Sequence, residues 1–397
     1  MSTPHLTILP NNPDFLDLPW SEPLADWDVP YLVELPTGVH RHVVRFAAYG
    51  DRIYAIKELP LRHARNEFTS LRTLQERNAP VVEAVGLVER AWLDPREEGS
   101  AAVITRYLDY AFPYRELITG GDFGPRRAQL LDGFAGLLVE LHLRGCFWGD
   151  CSLSNVLYRY DAAALDVTMV DGETVELHDV LSAGQRYADL EIMVVNVAGG
   201  MADIAAESGG TIDEADMTLG AEVIHRYERL WEELNSDWLI GPDEGYRITE
   251  RTTRLNDLGF EVAGVELEPV ENGRRLRLKV EVGGRSYHRH RLSQLTSIEA
   301  TENQARQILA DLRYHEAKSA PSSVNKAVAA IRWRIGVFEP LLAEIESLPG
   351  GNPDTVQLYC DFLHHRYTLS HDRGRDVPND EAFAHWVAAG MPGHPLA

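Results

Sequence analysis

Hydrophobic positions alternate with polar ones, or run together in short apolar stretches, over five segments near the start of the chain. Such segments, rich in β-branched and aromatic residues, are typical of β-strands. They are residues 31–35, 42–49, 52–59, 81–93 and 101–108. Gly50 and Asp51 separate the second segment from the third and indicate a tight turn. The first three segments predict an antiparallel meander, and the last two predict further strands.

A helical spacing of apolar residues replaces this pattern in two places. The first is residues 62–77, which Pro80 follows, and the second is residues 126–145, which ends at Gly145. Apolar residues of the first helix are Ala64, Phe68, Leu71 and Leu74. Those of the second are Leu130, Phe134, Leu137, Leu138 and Leu141. The end of the second helix leads directly into the stretch WGDCSLSNVL at 148–157.

Helices predominate in the rest of the chain. Residues 156–160 and 167–171 read as two strands, and residues 188–201 as a largely buried helix. After a predicted helix at 247–259, Asn272-Gly273 indicates the turn of a β-hairpin. The remaining helices are predicted at 299–315, 323–347 and 353–368.

The length of 397 residues is more than one hydrophobic core usually supports, so we expect several compact parts. Residues 1–30 are rich in Pro, Asp and Trp without periodicity and are predicted to form an irregular arm. A strand-rich part follows at 31–108, then a helix-rich part at 109–240. Residues 241–397 are predicted to be a mainly helical C-terminal domain that contains the hairpin.

Charge and cysteine content restrict the classes of function. The net charge of −23 argues against the whole molecule binding nucleic acid or an anionic membrane. No apolar run is long enough to span a membrane and the N-terminus lacks a secretion signal, so we expect a cytoplasmic protein. Three cysteines form neither a disulfide framework nor a metal motif and are predicted to be buried thiols. They are Cys146, Cys151 and Cys360.

Five polar residues follow one another in an order suited to one kind of chemistry. Lys57 lies in the strand 52–59, Glu67 on the next helix, Asp150 and Asn155 after the long helix, and Asp171 at the end of an apolar strand. This order resembles the protein-kinase-like superfamily over residues 30–200. The resemblance is closest to its bacterial lipopolysaccharide (Kdo/WaaP) kinase and small-molecule phosphotransferase branches. Residues 241–397 resemble a bacterial family known only as a domain of unknown function.

The resemblance implies an α+β, bilobal protein-kinase-like fold and an ATP- and magnesium-dependent phosphotransferase. Asp150 would be the catalytic base, and Asn155 and Asp171 would bind magnesium. Lys57 and Glu67 would form an ion pair that directs the ammonium toward the phosphates of ATP. Thr105 and Tyr107, at the end of the strand 101–108, are assigned to nucleotide binding with them.

The residue pattern alone, without the resemblance, supports part of this set of roles. Alternation places Tyr54 and Ile56 on one face of their strand and Lys57 on the other, where an interior lysine needs a partner. Glu67 borders the apolar stripe of its helix, which favours that partnership over a solvated lysine. Glu58 and Glu76 are expected to be solvated. Asp171 also fits an ordinary Asp-Gly turn, and Glu173 either assists the metal or faces solvent.

Several residues depart from the superfamily pattern. The segment PTGVHRH at 36–42 contains only Gly38 where a glycine-rich loop is expected, so His40, Arg41 and His42 either supply charge there or lie on the surface. Trp148 stands where many relatives carry histidine and is expected in the core. The glycine-poor loop keeps open the alternative of a pseudokinase that acts as a nucleotide-binding scaffold. An AMP transferase is a further alternative that the resemblance implies, since some relatives bind the nucleotide reversed.

The acceptor and possible partners are indicated by two further stretches. Fewer than twenty residues separate Asp171 from the predicted helix at Ala188-Asp189, which favours a small-molecule or glycolipid-like acceptor over a protein. Asp189 either resembles the buried aspartate that braces the catalytic loop in this superfamily or is a carboxylate at a helix N-terminus, where the helix dipole favours it. Residues 274–291 are strongly basic and form either a solvated face that balances nearby acids or a site for an anionic partner. His288 and His290 lack an evident third ligand, so no zinc site is expected.

Overall fold

A six-stranded sheet organises the first part of the chain. The structure is a computed structural model that describes residues 3–35, 42–117, 126–208, 214–318, 326–349 and 354–393. The strands are β1 His5–Ile8, β2 Leu32–Val33, β3 Val44–Tyr49, β4 Arg52–Leu59, β5 Ala84–Glu89 and β6 Ala101–Arg106. They lie in the order β1-β5-β6-β4-β3-β2, and every neighbouring pair is antiparallel. The predicted meander is confirmed, with β2 and β5 shorter than the apolar segments that indicated them.

Helix α1, Leu61–Glu76, connects β4 to β5 and packs against β5 and β6. Its apolar positions Ala64, Phe68, Leu71 and Leu74 are all buried, as their spacing predicted. Glu67 is buried among them, so the helix carries one carboxyl group into the interior. This placement directs Glu67 toward the sheet that contains Lys57.

The N-terminal segment differs from the irregular arm that was predicted. It contributes β1, which pairs with β5, and a set of buried side chains that cover one face of the sheet. These are Phe15, Leu18, Trp20, Leu24 and Trp27. They pack around Tyr54 and Ile56, the residues on the face of β4 opposite Lys57. The sequence did not predict that this segment covers the sheet, because its buried apolar residues lie in loops and short turns and follow no regular spacing.

Glu58, expected in solvent, is buried on the same face, and this prediction was wrong. It pairs with Arg90, which also donates to the carbonyl oxygens of Trp20, Glu22 and Gly99. Oε1 of Glu58 accepts a hydrogen bond from the backbone nitrogen of Leu24 at 3.0 Å. A buried charge requires such a partner, and here the pair fastens the N-terminal segment to the sheet. Glu76 is exposed, as predicted.

Helices and two small two-stranded sheets complete the first part of the chain. Their bounds are α2 Arg127–Leu143, β7 Cys146–Phe147, β8 Val156–Asp161, β9 Ala164–Met169, β10 Glu176–Leu177, α3 Ala183–Ser208 and α4 Glu214–Asn235. All five predicted apolar residues of α2 are buried. Gly145, just after α2, has a φ of 73°, and a side chain there would meet the carbonyl oxygen of His178 at 2.0 Å. Glycine is therefore required where the chain turns toward Asp150.

The C-terminal part has its own three-stranded sheet and seven α-helices among the residues described. Its elements are β11 Trp238–Ile240, α5 Tyr246–Asp257, β12 Phe260–Val270, β13 Arg275–Arg285, α6 Tyr287–Thr296, α7 Glu302–Lys318, α8 Lys326–Trp333, α9 Glu339–Glu346, α10 Thr355–Asp372 and α11 Asn379–Ala388. The predicted β12–β13 hairpin turns at Asn272 and Gly273, both with positive φ. A π-helical turn at Arg334–Phe338 joins α8 to α9 within the predicted helix 323–347.

Contacts divide the chain into two compact units. The first contains residues 1–158 and 167–228, and the second contains residues 159–166 and 229–397. The α+β class and the mainly helical C-terminal domain with a hairpin are confirmed, while the finer boundaries at residues 30, 108 and 240 stay predictions. Across the described ranges, no helix is both long and apolar enough to cross a membrane.

The second unit includes the tip of the β8–β9 hairpin. Asp161 is fully buried there and accepts hydrogen bonds from the hydroxyl of Thr301 at 2.6 Å and from the backbone nitrogens of Asn303 and Gln304 at 3.1 and 2.7 Å. The side-chain amide of Asn303 adds a fourth at 2.8 Å. These donors lie at the start of α7, so Asp161 caps that helix from a segment distant in sequence.

The basic residues of the second unit have acidic neighbours. Lys279 donates to Glu268 at 2.8 Å, and Arg277 lies 3.8 Å from both Glu268 and Asp237. His288 and His290 contact Glu302 and Glu261. The contacts of Arg277 and Lys279 are those expected of a solvated face that balances nearby acids, whereas His288 and Glu302 are buried. An anionic partner at residues 274–291 stays a prediction.

Candidate active site

Lys57 lies near the middle of the sheet, where β4 is paired on both sides. It is opposite Val44 of β3 and Val103 of β6. Its Nζ atom is 2.8 Å from Oε2 of Glu67 and donates to Oδ2 of Asp171 at 3.0 Å. Burial disfavours the charged ammonium, but the two carboxylates outweigh it and raise the pKa of Lys57. The structure therefore joins Lys57, Glu67 and Asp171 in one cluster.

Glu67 provides the buried end of this cluster. Burial raises its pKa to about 8, although the ammonium of Lys57 acts in the opposite direction. The ammonium of Lys57 is shared between the carboxylates of Glu67 and Asp171. Glu67 lies further from water and therefore takes up a proton more readily. We therefore regard Lys57 as the permanently charged member and Glu67 as the group that titrates.

Asp171 follows β9 and accepts two hydrogen bonds besides the one from Lys57, and the residue before it is bonded to Asn155. Its Oδ1 atom accepts from the backbone nitrogen of Glu173 at 3.1 Å, and its carbonyl oxygen accepts from the indole of Trp148 at 3.1 Å. The backbone nitrogen of Val170 donates to the carbonyl oxygen of Asn155 at 3.0 Å. Trp148 is buried as expected, but it also positions Asp171.

Asp150 and Asn155 contact each other directly. The side-chain amide of Asn155 donates to Oδ2 of Asp150 at 3.0 Å and to its carbonyl oxygen at 3.1 Å. Burial raises the pKa of Asp150, and the charges of Asp171 and Glu173 add to this effect. Hydrogen bonds from Asn155 and Asn196 favour the ionised form and oppose it. The outcome is a carboxylate more basic than an ordinary aspartate.

Asp189 supports the loop that carries Asp150. It is fully buried in α3 and accepts hydrogen bonds from the backbone nitrogens of Trp148 and Gly149, both at 2.8 Å. Nε2 of His142 lies 3.1 Å from it. Burial alone would raise the pKa of Asp189, but these hydrogen bonds together lower it. Asp189 makes the bracing contacts that the resemblance implies.

Thr105 and Tyr107 lie at the end of β6, beside this cluster in the sheet. Thr105 is opposite Ala55 in the strand register, on the face that carries Lys57. The ring of Tyr107 packs edge-on against Phe46 with centroids 5.6 Å apart. No hydrogen bond within the described ranges joins either side chain to the charged cluster. Their assignment to nucleotide binding stays a prediction.

Three residues of the site differ from what the sequence indicated or were missed. Glu173 does not face solvent, since its Oε2 atom lies 3.2 Å from Nε2 of His42 and its side chain is only 11% exposed. His42 is buried, not on the surface. Gly38, His40 and Arg41 lie outside the described residues. Asn196 was overlooked, although it lies seven residues after Asp189 on the same helix and therefore two turns along it.

The oxygen atoms of the site fit magnesium that arrives with a nucleotide. Asp171 supplies a carboxylate, and Asn155 directs both amide hydrogens at Asp150, which leaves the side-chain carbonyl oxygen of Asn155 available to a metal ion. Magnesium is usually held by one or two such protein oxygens together with phosphates and water. No group of three or more His, Cys, Asp or Glu in the described part of the chain forms a metal site by itself.

Comparisons with known proteins agree with the sequence resemblance for the C-terminal part. A family described as domain of unknown function DUF4032 matches residues 229–391. The expected resemblance there is confirmed. The matched region lies outside the candidate site. No curated protein sequence matches the chain.

Two solved structures are similar to part of the chain, both with low scores. One, titled "WaaP in complex with acyl carrier protein", has a TM-score of 0.35 and 18% identity and covers 56% of this chain and 89% of that one. The other, an aminoglycoside-3'-phosphotransferase of type VIII, has a TM-score of 0.30 and 15% identity and covers 49% and 93%. The ion pair of Lys57 with Glu67 is the one that the protein-kinase-like resemblance implies.

Proposed function

We propose that the protein is an ATP- and magnesium-dependent phosphotransferase that acts on a hydroxyl group. The observation that carries this proposal is the position of Lys57, which bridges a buried glutamate and the aspartate predicted to bind the metal. Phosphoryl transfer needs neutralised charge around the triphosphate and an acceptor held in line. A fixed ammonium, two oxygen ligands and a nearby carboxylate of raised basicity are suited to this task.

Each residue has a role in that reaction. Glu67 holds the ammonium of Lys57 toward the phosphates, and Asp171 and Asn155 would hold magnesium, which would neutralise phosphate charge. Asp150 orients the acceptor hydroxyl and takes its proton. The acceptor oxygen forms a bond to the γ-phosphorus as the bond from that phosphorus to the bridging oxygen breaks, and ADP leaves.

The expected acceptor is a small molecule or a glycolipid-like molecule. Helix α3 begins at Ala183, five residues earlier than predicted from Ala188, so residues 172–182 are all that separates Asp171 from it. A segment this short, with β10 inside it, leaves little chain with which to dock a peptide. The short segment therefore favours a small-molecule or glycolipid-like acceptor over a protein.

Labelled ATP tests the reaction. The protein is incubated with cell extract and ATP labelled at either the γ or the α phosphorus. Transfer of γ-label alone is expected. Transfer of α-label would identify the AMP transferase alternative. Absence of transfer would favour the nucleotide-binding scaffold, which the glycine-poor segment 36–42 also supports.

Asp150→Asn tests the base. It removes charge and basicity at nearly constant volume, so transfer should fall by about two to four orders of magnitude while ATP affinity hardly changes. Asp132→Asn alters a surface carboxylate on α2 and serves as the matched control, with full activity expected. Unchanged transfer in Asp150→Asn would contradict the assigned role.

A further inference from the structure

Asn196 of helix α3 contacts Asp150, the predicted base, although nothing in the sequence indicates that contact. Its side-chain amide donates to Oδ1 of Asp150 at 2.9 Å and to the carbonyl oxygen of Cys151 at 3.2 Å. Both amide hydrogens are thereby used on the loop that carries Asp150. No other residue type of this size offers two donors to a carboxylate and a carbonyl at once.

Helix α3 holds this loop at two points. Asp189 binds the backbone nitrogens of Trp148 and Gly149, and Asn196 binds the next two residues, Asp150 and Cys151. Seven residues separate the two side chains, which is two helical turns and about 10 Å along the axis. The charged carboxylate of Asp189 accepts hydrogen bonds from the loop backbone. The neutral amide of Asn196 donates to the side chain of Asp150.

The carboxylate of Asp150 is therefore fixed from both sides. Oδ1 accepts from Asn196 and Oδ2 accepts from Asn155. Each oxygen has two lone pairs, so each keeps one for another donor, such as an acceptor hydroxyl. Without Asn196, one oxygen would lose its anchor and the carboxylate plane would be free to rotate about its terminal torsion.

We propose that Asn196 is a positioning residue that sets the orientation of the Asp150 carboxylate toward the acceptor hydroxyl. The inference rests on the proposed phosphotransfer and adds to it a residue outside the predicted set. Asn155 cannot replace Asn196, because its amide already donates to the opposite oxygen of Asp150 and its side-chain carbonyl oxygen would hold the magnesium of the proposed reaction. The role is thus separate from metal binding.

Substitutions at Asn196 test this role through the rate and its pH dependence. Asn196→Ala should lower kcat about 10- to 100-fold, the cost of a loosely placed reacting group, with the KM for ATP nearly unchanged. Asn196→Ser keeps one donor and should retain an intermediate rate. Asn196→Asp places a second carboxylate beside the base and should move the acidic limb of the kcat profile upward by about one pH unit or more. A residue that only stabilised the fold would not shift that limb.

Asn235→Ala is the matched control, because among the residues described its amide donates to the backbone of its own helix α4, at Trp231, and not to the loop that carries Asp150. It should leave kcat and the pH profile unchanged. Wild-type kcat and an unshifted profile in both Asn196→Ala and Asn196→Asp would overturn the proposal.

A second measurement separates this proposal from the proposed function. The pKa of Asp150 is followed by carbon NMR, with the signal assigned through Asp150→Asn. Loss of a donor to the ionised form should raise that pKa in Asn196→Ala. If the wild-type protein transfers no phosphate, the proposed function fails, whereas an unmoved Asp150 pKa in Asn196→Ala overturns the role of Asn196 alone.

Discussion

Glu67 shows how the site responds to pH at the scale of one residue. Burial raises its pKa from 4.5 to about 8. The folded protein thus binds a proton that the unfolded chain releases between these values, and the stability gained is complete below pH 4.5 and is lost as pH rises through about 8. The free energy of unfolding should therefore fall with rising pH across this window, by an amount on the order of a few kcal/mol.

Urea unfolding at pH 5.5 and pH 8.5 measures this effect. Glu67→Gln keeps the shape and removes the titration, so its stability should change less than that of the wild type between the two pH values. Parallel changes in the two proteins would contradict the raised pKa of Glu67.

Some residues of the site could be predicted from sequence and others could not. Lys57 and Glu67 were predictable, because each interrupts a regular apolar spacing and needs a partner of opposite charge. Asn196 was not, because an amide on a helix gives no signal until the loop opposite it is known. Glu58 could have been assigned correctly, since alternation in β4 places it on the face of Tyr54 and Ile56.

At the scale of elements, the N-terminal segment depends on the buried pair of Glu58 and Arg90. Arg90→Met should destabilise the protein by about 3–5 kcal/mol, because it leaves a buried carboxylate without a partner. Thermal or urea unfolding of the wild type and the variant measures the loss. Hydrogen exchange of β1 should also accelerate.

Arg65→Met is the matched control, since Arg65 pairs with Glu89 at 2.7 Å but is largely exposed. Surface pairs contribute little, so its loss of stability should be far smaller. Equal losses in the two variants would show that burial of the Glu58–Arg90 pair has no special effect.

Regular elements were predicted well for a physical reason. The bounds of β4, α1 and α2 follow the spacing of their buried residues, which is a local property of the chain. The N-terminal segment instead contacts the sheet through residues without any repeat, and its burial depends on contacts distant in sequence. Local patterns carry no information of that kind.

At the scale of the whole molecule, the second unit is built from two separate stretches of chain. The match to the family of unknown function begins at residue 229 and omits residues 159–166, which carry Asp161. Asp161→Ala should leave buried donors at the start of α7 unsatisfied, at a cost on the order of 2–4 kcal/mol.

Hydrogen exchange of the first turn of α7 reports on this directly. It should accelerate in Asp161→Ala, while amides of the six-stranded sheet serve as an internal reference. Asp354→Ala removes the cap of α10 and should affect α10 more than α7. Unaltered exchange at Asn303 and Gln304 would mean that Asp161 does not cap α7.

The cap supplied by Asp161 also affects the order in which parts of the second unit can fold during synthesis. Thr301 is made 140 residues after Asp161, which at 5–20 residues per second is an interval of roughly 7–28 s. Throughout that time the nascent chain carries a completed hairpin tip whose acceptors have no protein donors from α7. When α7 emerges from the ribosome, its capping residue Asp161 has already been made. The first turn of α7 reaches its final structure only after it contacts Asp161. Chaperones that bind the growing chain would meet this exposed tip before any other part of the second unit exists.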